Sequence, residues 1–384
     1  MKIKFAVIGL YYASNLGDAV ICDCVVGWLK RRYPGAQIDL IDIENKKGFP
    51  VQKTVSRITL EKRKWNLRRD YWLTKYGITD RIYYWNALDI SQRRNFYKKV
   101  AEYGYSAVVF AGGQIFMDWL SLDVAGFLEE FEKMGTPVFF NACGTGMSVS
   151  GKIQRSLAKY LQSKVVCLIS SRDNTQEIET KYLEGKKEVR ATYDPALWTK
   201  ETYSIKKENS KVVGLGVMYT ERFSRHKLIR FWLDVIHTLD KRRIQWKIFC
   251  NGDIEDYEFG RCILNRLGMN TSEKIYRCAK APRELVEQIA SFGSIISFRL
   301  HSHIISASLG IPAVAIMWDE KLKFFYENIG CPERCRTIND SGEVIGEVLQ
   351  NAIEEGYDDT RIGEQKQFSK RLLLDSIKQV IDYE

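Results

Sequence analysis

An arginine and a histidine stand two residues apart at the end of an apolar run, Ser294 to Phe298 followed by Arg299, Leu300 and His301. Inside a fold both are costly unless a ligand or a carboxylate pairs with them. A guanidinium offers a planar fork that matches a carboxylate or phosphate. An imidazole moves protons near neutral pH. The competing reading of His301 is a helix-start imidazole that only satisfies backbone groups. His303 lies two residues on, points away from His301 in a helix, and reads as structural. Similar polar punctuation closes other apolar runs: Asn15, Gly17 and Asp18 after the first, Gly112 and Gly113 after the third, Gly144 to Gly146 after the fourth, and Ser171, Arg172 and Asp173 after the fifth. Asp319 to Lys321 closes a later one, where Lys321 is a point charge for a phosphate. Asp194 precedes Pro195 and reads as the cap of a turn. Glycine lets backbone N–H groups approach an anion, and a following helix adds its positive end. Capping alone explains any single turn, but five together point to a ligand cleft.

These turns belong to an alternation of apolar runs with amphipathic stretches, which predicts an α/β fold with open parallel sheets. Ile3 to Gly9, Ile38 to Ile43, Ala107 to Ala111, Pro137 to Asn141 and Val165 to Ser170 are the expected strands of a first half. Helices are expected over Ala19 to Tyr33 and Asp123 to Met134. Residues 45–100 are rich in charge and aromatics and read as an insertion over the sheet edge. The polar stretch Thr199 to Ser210 reads as a linker. Beyond it a second set begins, with strands Val212 to Met218, Trp246 to Cys250, Ser294 to Phe298 and Ala313 to Ile316. The helices between them are expected over Arg225 to Leu239, Tyr257 to Leu267, Arg283 to Phe292 and His303 to Leu309. The expected architecture is two Rossmann-like, doubly wound domains, 1–200 and 201–360, facing a cleft, with a closing helix over 364–382 packed back on the first.

Composition narrows the function classes. The 384 residues are 45% hydrophobic and 28% charged, which excludes a wholly disordered chain. No apolar run approaches the ~20 residues of a membrane span, and the start of the chain reads as a strand rather than an export signal. The net charge of +10 favours anionic partners. Arg57 to Trp72 mixes six basic residues with Trp65, Tyr71 and Trp72, a pattern suited to a solvated surface or a lipid headgroup layer. Nine cysteines, several inside apolar runs, read as free thiols of a reducing cytoplasm. With four histidines in the chain, no metal site is expected. The first turn lacks a dinucleotide fingerprint, and there is no P-loop, H-E-x-x-H or G-x-S-x-G motif.

Taken in order, these segments resemble the polysaccharide pyruvyl transferase family. Asn15-Leu16-Gly17-Asp18 is similar to the family's early N-x-G-D turn, and Val109 to Gly113 to its glycine-rich strand end. Ser171-Arg172-Asp173 and Asp194-Pro195-Ala196 match its mid-chain signatures. Ser297 to His301, continuing through Leu309-Gly310-Ile311-Pro312 to Lys321, is the strongest match. Gln114 stands where many relatives have a third glycine, and Tyr11 and Tyr12 replace glycines in the first turn. The resemblance implies a fold like the GT-B glycosyltransferases and a transferase that moves pyruvate from phosphoenolpyruvate onto two hydroxyls of a sugar as a cyclic ketal. Phosphoenolpyruvate would be a co-substrate, with no cofactor and no metal. The acceptor would be a glycan or a lipid-linked oligosaccharide of capsule, exopolysaccharide or cell-wall synthesis, met in the cytoplasm with peripheral contact at the inner membrane face; no nucleic acid partner is expected. Under this reading Arg299, Arg172 and Lys321 bind the donor, His301 is the general acid and base, and Asp18 and Asp173 stabilise the cationic intermediate. Asn15, Gly17, Gly112 and Gly113 face the acceptor. Two alternatives stay open: a GT-B glycosyltransferase using a nucleotide sugar, and an inactive glycan-binding or assembly relative.

Overall fold

Strand β1 (Lys4–Gly9) is buried from Phe5 to Gly9 and lies between β2 (Gln37–Asp42) and β3 (Ala107–Phe110), parallel to both. A strand covered on both faces needs a continuous apolar run, and β1 and β3 have one. The computed structural model to which these elements belong describes residues 2–50, 87–146, 151–269 and 271–381. Most of the expected insertion, including the basic stretch Arg57 to Trp72, lies outside the described residues. The sheet continues through β5 (Val138–Phe140), β7 (Val166–Ser171) and β8 (Arg190–Ala191), in the order β2-β1-β3-β5-β7-β8. Two further strands, β4 (Gly113–Phe116) and β6 (Cys143–Thr145), pair with each other in parallel. They correct the expectation of loops there: the chain turns at Gly112 and Ala142 and then runs extended again.

A second parallel sheet is built from β9 (Val213–Gly216), β10 (Trp246–Phe249), β11 (Ser294–Ser297), β12 (Ala313–Met317) and β13 (Cys335–Thr337), in the order β10-β9-β11-β12-β13. In both sheets the strand order reverses beside the first strand, and ligands of such sheets bind outside the carboxyl ends at that point.

Helix α1 (Leu16–Arg32) carries apolar residues all round, because it is covered on more than one side. Val20, Trp28 and Leu29 share one apolar cluster with Phe5 and Val109 of the first sheet and with Leu285, Ile304 and Phe325 of the second unit. The outer face of the first sheet is covered by α2 (Ala87–Ala101), α3 (Asp118–Met134) and α4 (Gly151–Leu161). In the second unit, α5 (Arg225–Lys241), α6 (Ile254–Arg266) and α10 (Gly342–Glu355) cover the outer face. The inner face carries α7 (Pro282–Ala290), α8 (Leu300–Leu309) and α9 (Glu320–Asn328), and α11 (Asp359–Ile381) closes the chain. An apolar core common to both units opposes free hinge motion.

Three expectations need correction. The polar stretch after Trp198 begins as a helical turn, Thr199–Tyr203, with Thr199 and Tyr203 buried. It docks on α1, where Tyr203 donates to Asp23 and Thr202 to the Cys24 Sγ at 3.4 Å, so its polarity is spent on partners rather than solvent. Helix α8 starts at Leu300, not His303, so His301 sits in its first turn. The closing helix starts at Asp359 and touches both units: Trp198 Nε1 donates to Lys366 O at 2.9 Å, and Gln365 to Asn328 O at 2.7 Å. All nine cysteines are free.

Candidate active site

The start of α1 meets the start of α8 across the two units. Leu16 N donates to Asn251 O at 2.9 Å, and the His301 side chain, 6% exposed, lies against Gly17. A Cβ on Gly17 would fall 2.2 Å from His301 Nδ1, so only glycine admits the ring here. On its other side, His301 Nε2 is 3.2 Å from Nη1 of Arg172, at the end of β7. A guanidinium only donates. Nε2 therefore accepts, and the neutral ring carries its proton on Nδ1. Asp194 completes the group. Its Oδ2 pairs with Arg172 Nη1 and stands 3.9 Å from His301 Nε2, while Oδ1 accepts from Ala196 N at 2.8 Å. The capping role read from the sequence is real, but it is half of what Asp194 does. Its second role was invisible because it depends on β7 and β8 being neighbours. Burial pushes the His301 pKa down to about 4; Arg172, Lys321 and Arg299 add to the fall, and Asp18 opposes it.

Asp173 follows Arg172, with Oδ1 3.8 Å from Arg172 Nε. Its Oδ2 is buried without a hydrogen-bond partner, and a Cβ on Gly144 would come within 2.1 Å of it. Burial raises the Asp173 pKa, against the pull of Arg172 and Lys321. Asp18 faces Gly113, and Asn15 caps α1 by accepting from Gly17 N at 3.4 Å. Gly112 packs against Ile21. Lys321, in the first turn of α9, is 14% exposed with Nζ 3.9 Å from Asp319, and burial lowers its pKa. Arg172, Asp173, Asp194 and Lys321 line one crevice with Tyr193 and Phe325, with about 20 Å³ of room, enough for one water.

Other orphaned atoms gather nearby. Arg172 Nε, the amide of Asn141, Thr192 Oγ1 and Asn251 Nδ2 are buried without partners. All lie just beyond strand ends. A buried unmade hydrogen bond costs about 1–3 kcal/mol, so each of these groups calls for a partner.

Arg299 stands on the flank of this crevice, 19% exposed. Asp256 Oδ2 accepts from its Nε at 2.9 Å and its Nη2 at 2.7 Å, and Asp253 is 3.7 Å away. Asp256 fixes the fork through Nε and Nη2. Burial drives the Asp256 pKa up to about 7 even beside Arg299. Asp253 and Asp256 escaped the sequence reading because they look like the ordinary acids of a helix start. His303 is structural: Nε2 donates to Ser297 O at 2.9 Å, and Nδ1 accepts from Tyr326 Oη at 2.9 Å. That pins the β11–α8 turn which presents Arg299 and His301. Among the described residues, no group of three His, Cys, Asp or Glu side chains could hold a metal, and no helix is long and apolar enough to cross a membrane.

A family model for polysaccharide pyruvyl transferase matches residues 15–320, well over half of the chain. The chain belongs to the polysaccharide pyruvyl transferase family. The match takes in Asn15 to Asp18, Arg172, Asp194, Arg299 and His301, and stops one residue short of Lys321. No curated protein matches by sequence. Among solved structures, S. aureus MnaA with UDP superposes with a TM-score of 0.54 at 12% identity, covering 100% of this chain and 97% of that one. The UDP-GlcNAc 2-epimerase of Methanocaldococcus jannaschii, in complex with UDP-GlcNAc and UDP, gives 0.53 at 10% identity over 100% of both chains. At these identities the likeness is one of fold: this pyruvyl transferase family member has the GT-B-like arrangement of two Rossmann-type units.

Proposed function

We propose that the chain transfers the pyruvyl group of phosphoenolpyruvate to two hydroxyls of one sugar in a glycan or its lipid-linked precursor, giving a cyclic ketal. The observation that carries this reading is the buried Asp194–Arg172–His301 group, set beside Lys321 where the two units meet. Arg172, its Nε unpartnered, and Lys321 are cations that face one crevice, and Arg299 adds a third from the flank. Between them they match a donor that bears both a carboxylate and a phosphate.

The free protein holds His301 neutral, with Arg172 donating to Nε2. The donor's negative charges offset the three cations that depress the imidazole, so its proton affinity rises as the donor arrives. As the donor draws the Arg172 Nη1 off Nε2, His301 takes the proton of the first attacking hydroxyl at Nε2 and passes it to the donor's methylene carbon, which becomes a methyl group. Two C–O bonds form to the central carbon, the bond to the phosphate oxygen breaks, and phosphate leaves with the proton of the second hydroxyl. Asp18 and Asp173 stabilise positive charge on the central carbon, and Lys321 steadies the departing phosphate. The 20 Å³ of the crevice is less than the donor needs, so the lining side chains swing aside on binding. The acceptor lies toward Asn15, Gly17, Gly112 and Gly113, and the reaction belongs at the cytoplasmic membrane face, where lipid-linked glycans are built.

Titration calorimetry tests the donor. Phosphoenolpyruvate should bind, and Arg172→Ala should abolish that binding. Binding of UDP-sugars with none of phosphoenolpyruvate would instead establish a nucleotide-sugar transferase.

A further inference from the structure

The second unit carries a groove larger than the crevice, with about 670 Å³ of open space, on its outer rim between the starts of α5 and α10. His226, Lys227 and Arg230 form one wall, Asn339 and Asp340 the other. The three basic side chains are exposed, and among the described residues none lies within 4 Å of a carboxylate oxygen. Lys227 Nζ is held 2.7 Å from the neutral Asn339 Oδ1. Of the groove's two acids, Asp340 is paired with a cation and Asp234 is held by a backbone amide. Asp234 accepts from Gly342 N at 2.6 Å, and Asp340 binds Arg336 and the backbone and hydroxyl of Thr337. With Asp340 neutralised by Arg336, Lys227 and Arg230 outweigh Asp234, and a concavity of net positive charge attracts anions.

A further cation, Arg222, stands near the crevice. Arg222 lies over the Trp318 ring at 5.2 Å, donates to Trp318 O at 2.6 Å and stands 3.8 Å from Asp319. Asp319 in turn is 3.9 Å from Lys321. Arg222 and Lys321 therefore flank Asp319 at the start of α9.

We propose that this groove is an accessory site for an extended anionic glycan, which it grips by the acidic groups spaced along the chain while the reacting sugar lies at the crevice. The proposal rests on the reading that the acceptor is a glycan, but its test needs neither donor nor turnover. The full-length protein is titrated with an oligogalacturonate, with inorganic pyrophosphate and with a neutral dextran oligomer, at low and at physiological salt. The oligogalacturonate should bind, more weakly as salt rises; the dextran should not. The double variant Lys227→Ala/Arg230→Ala changes exposed side chains, leaves the far-UV spectrum and phosphoenolpyruvate binding unchanged, and should weaken oligogalacturonate binding about tenfold. Equal affinity in the variant overturns the proposal, as does a site that takes pyrophosphate in preference to the oligosaccharide. A variant that loses oligogalacturonate in a protein that never binds phosphoenolpyruvate leaves the groove standing and removes only the donor reading.

Discussion

Replacing Gly17 by alanine sets two physical effects against each other. Gly17 is in the first turn of α1, where alanine is favoured over glycine by up to about 1 kcal/mol. The new methyl group, however, would sit 2.2, 2.3 and 2.4 Å from Nδ1, Cγ and Cβ of His301. Restoring ordinary contact requires a separation of roughly 3.4 Å, so ring and helix must part by about 1 Å. Overpacking of this kind costs about 1–3 kcal/mol, which outweighs the helix gain. The larger effect is on catalysis. A displacement of about 1 Å at a proton-transferring group costs on the order of 10²-fold in rate. Gly17→Ala should therefore lower kcat about 100-fold while the protein loses only about 1–2 kcal/mol of stability. The assay is phosphate release with donor and acceptor, alongside denaturant unfolding. Placing the substitution in a His301→Gly background removes all three clashing atoms, and there Gly17→Ala should stabilise the protein. If Gly17→Ala keeps full turnover, or destabilises equally in both backgrounds, the packing of α1 on His301 is not what organises the site.

Other consequences follow from the same contacts. His301→Ala should reduce turnover by about 10²–10⁴ with the fold intact, as read by phosphate release and circular dichroism. Asp194→Asn removes the nearer of the two carboxylates beside the buried Arg172 and leaves Asp173 at 3.8 Å; unfolding midpoints should fall, by less than the roughly 3–5 kcal/mol of a buried charge left with no partner, and the donor KM should rise. His303, held down to about 4, contributes stability that is present above the unfolded pKa and lost as pH falls toward 4. His303→Gln should therefore remove about 2 kcal/mol of the acid-induced loss between pH 7 and pH 4.5. Asp256, raised to about 7, has the opposite sign: its contribution is complete below the unfolded pKa and is lost as pH rises through 7. Stability of Asp256→Asn should thus fall more steeply than wild type on acidification from pH 7 to pH 4.5, by about 3 kcal/mol. A parallel pH profile would show that the carboxyl is ionised throughout.

The sheets were legible because buried parallel strands demand apolar runs, as Phe5 to Ile8 and Ala313 to Met317 show. The strand-end turns carrying Arg172, Arg299 and His301 were legible for the related reason that charge directly after such a run needs a partner. Partnership across the chain was not. Asp194 and Arg172 are 22 residues apart and meet only because β8 lies beside β7. Asp256 reaches Arg299 from a helix 43 positions earlier, and nothing local in Asp253 to Asp256 distinguishes that role from a cap. Short strands such as β4 and β6 also escaped, since their glycines read as turns and their extended form depends on each other's backbone.

The most direct measurement is incubation of the protein with phosphoenolpyruvate and a panel of glycans and lipid-linked oligosaccharides, following inorganic phosphate and acceptor mass together. The account predicts phosphate release that depends on acceptor, a product heavier by one pyruvate ketal, and the loss of both signals in His301→Ala. A product heavier by a sugar, formed only with a nucleotide sugar, or a ketal formed at full rate without His301, would contradict it.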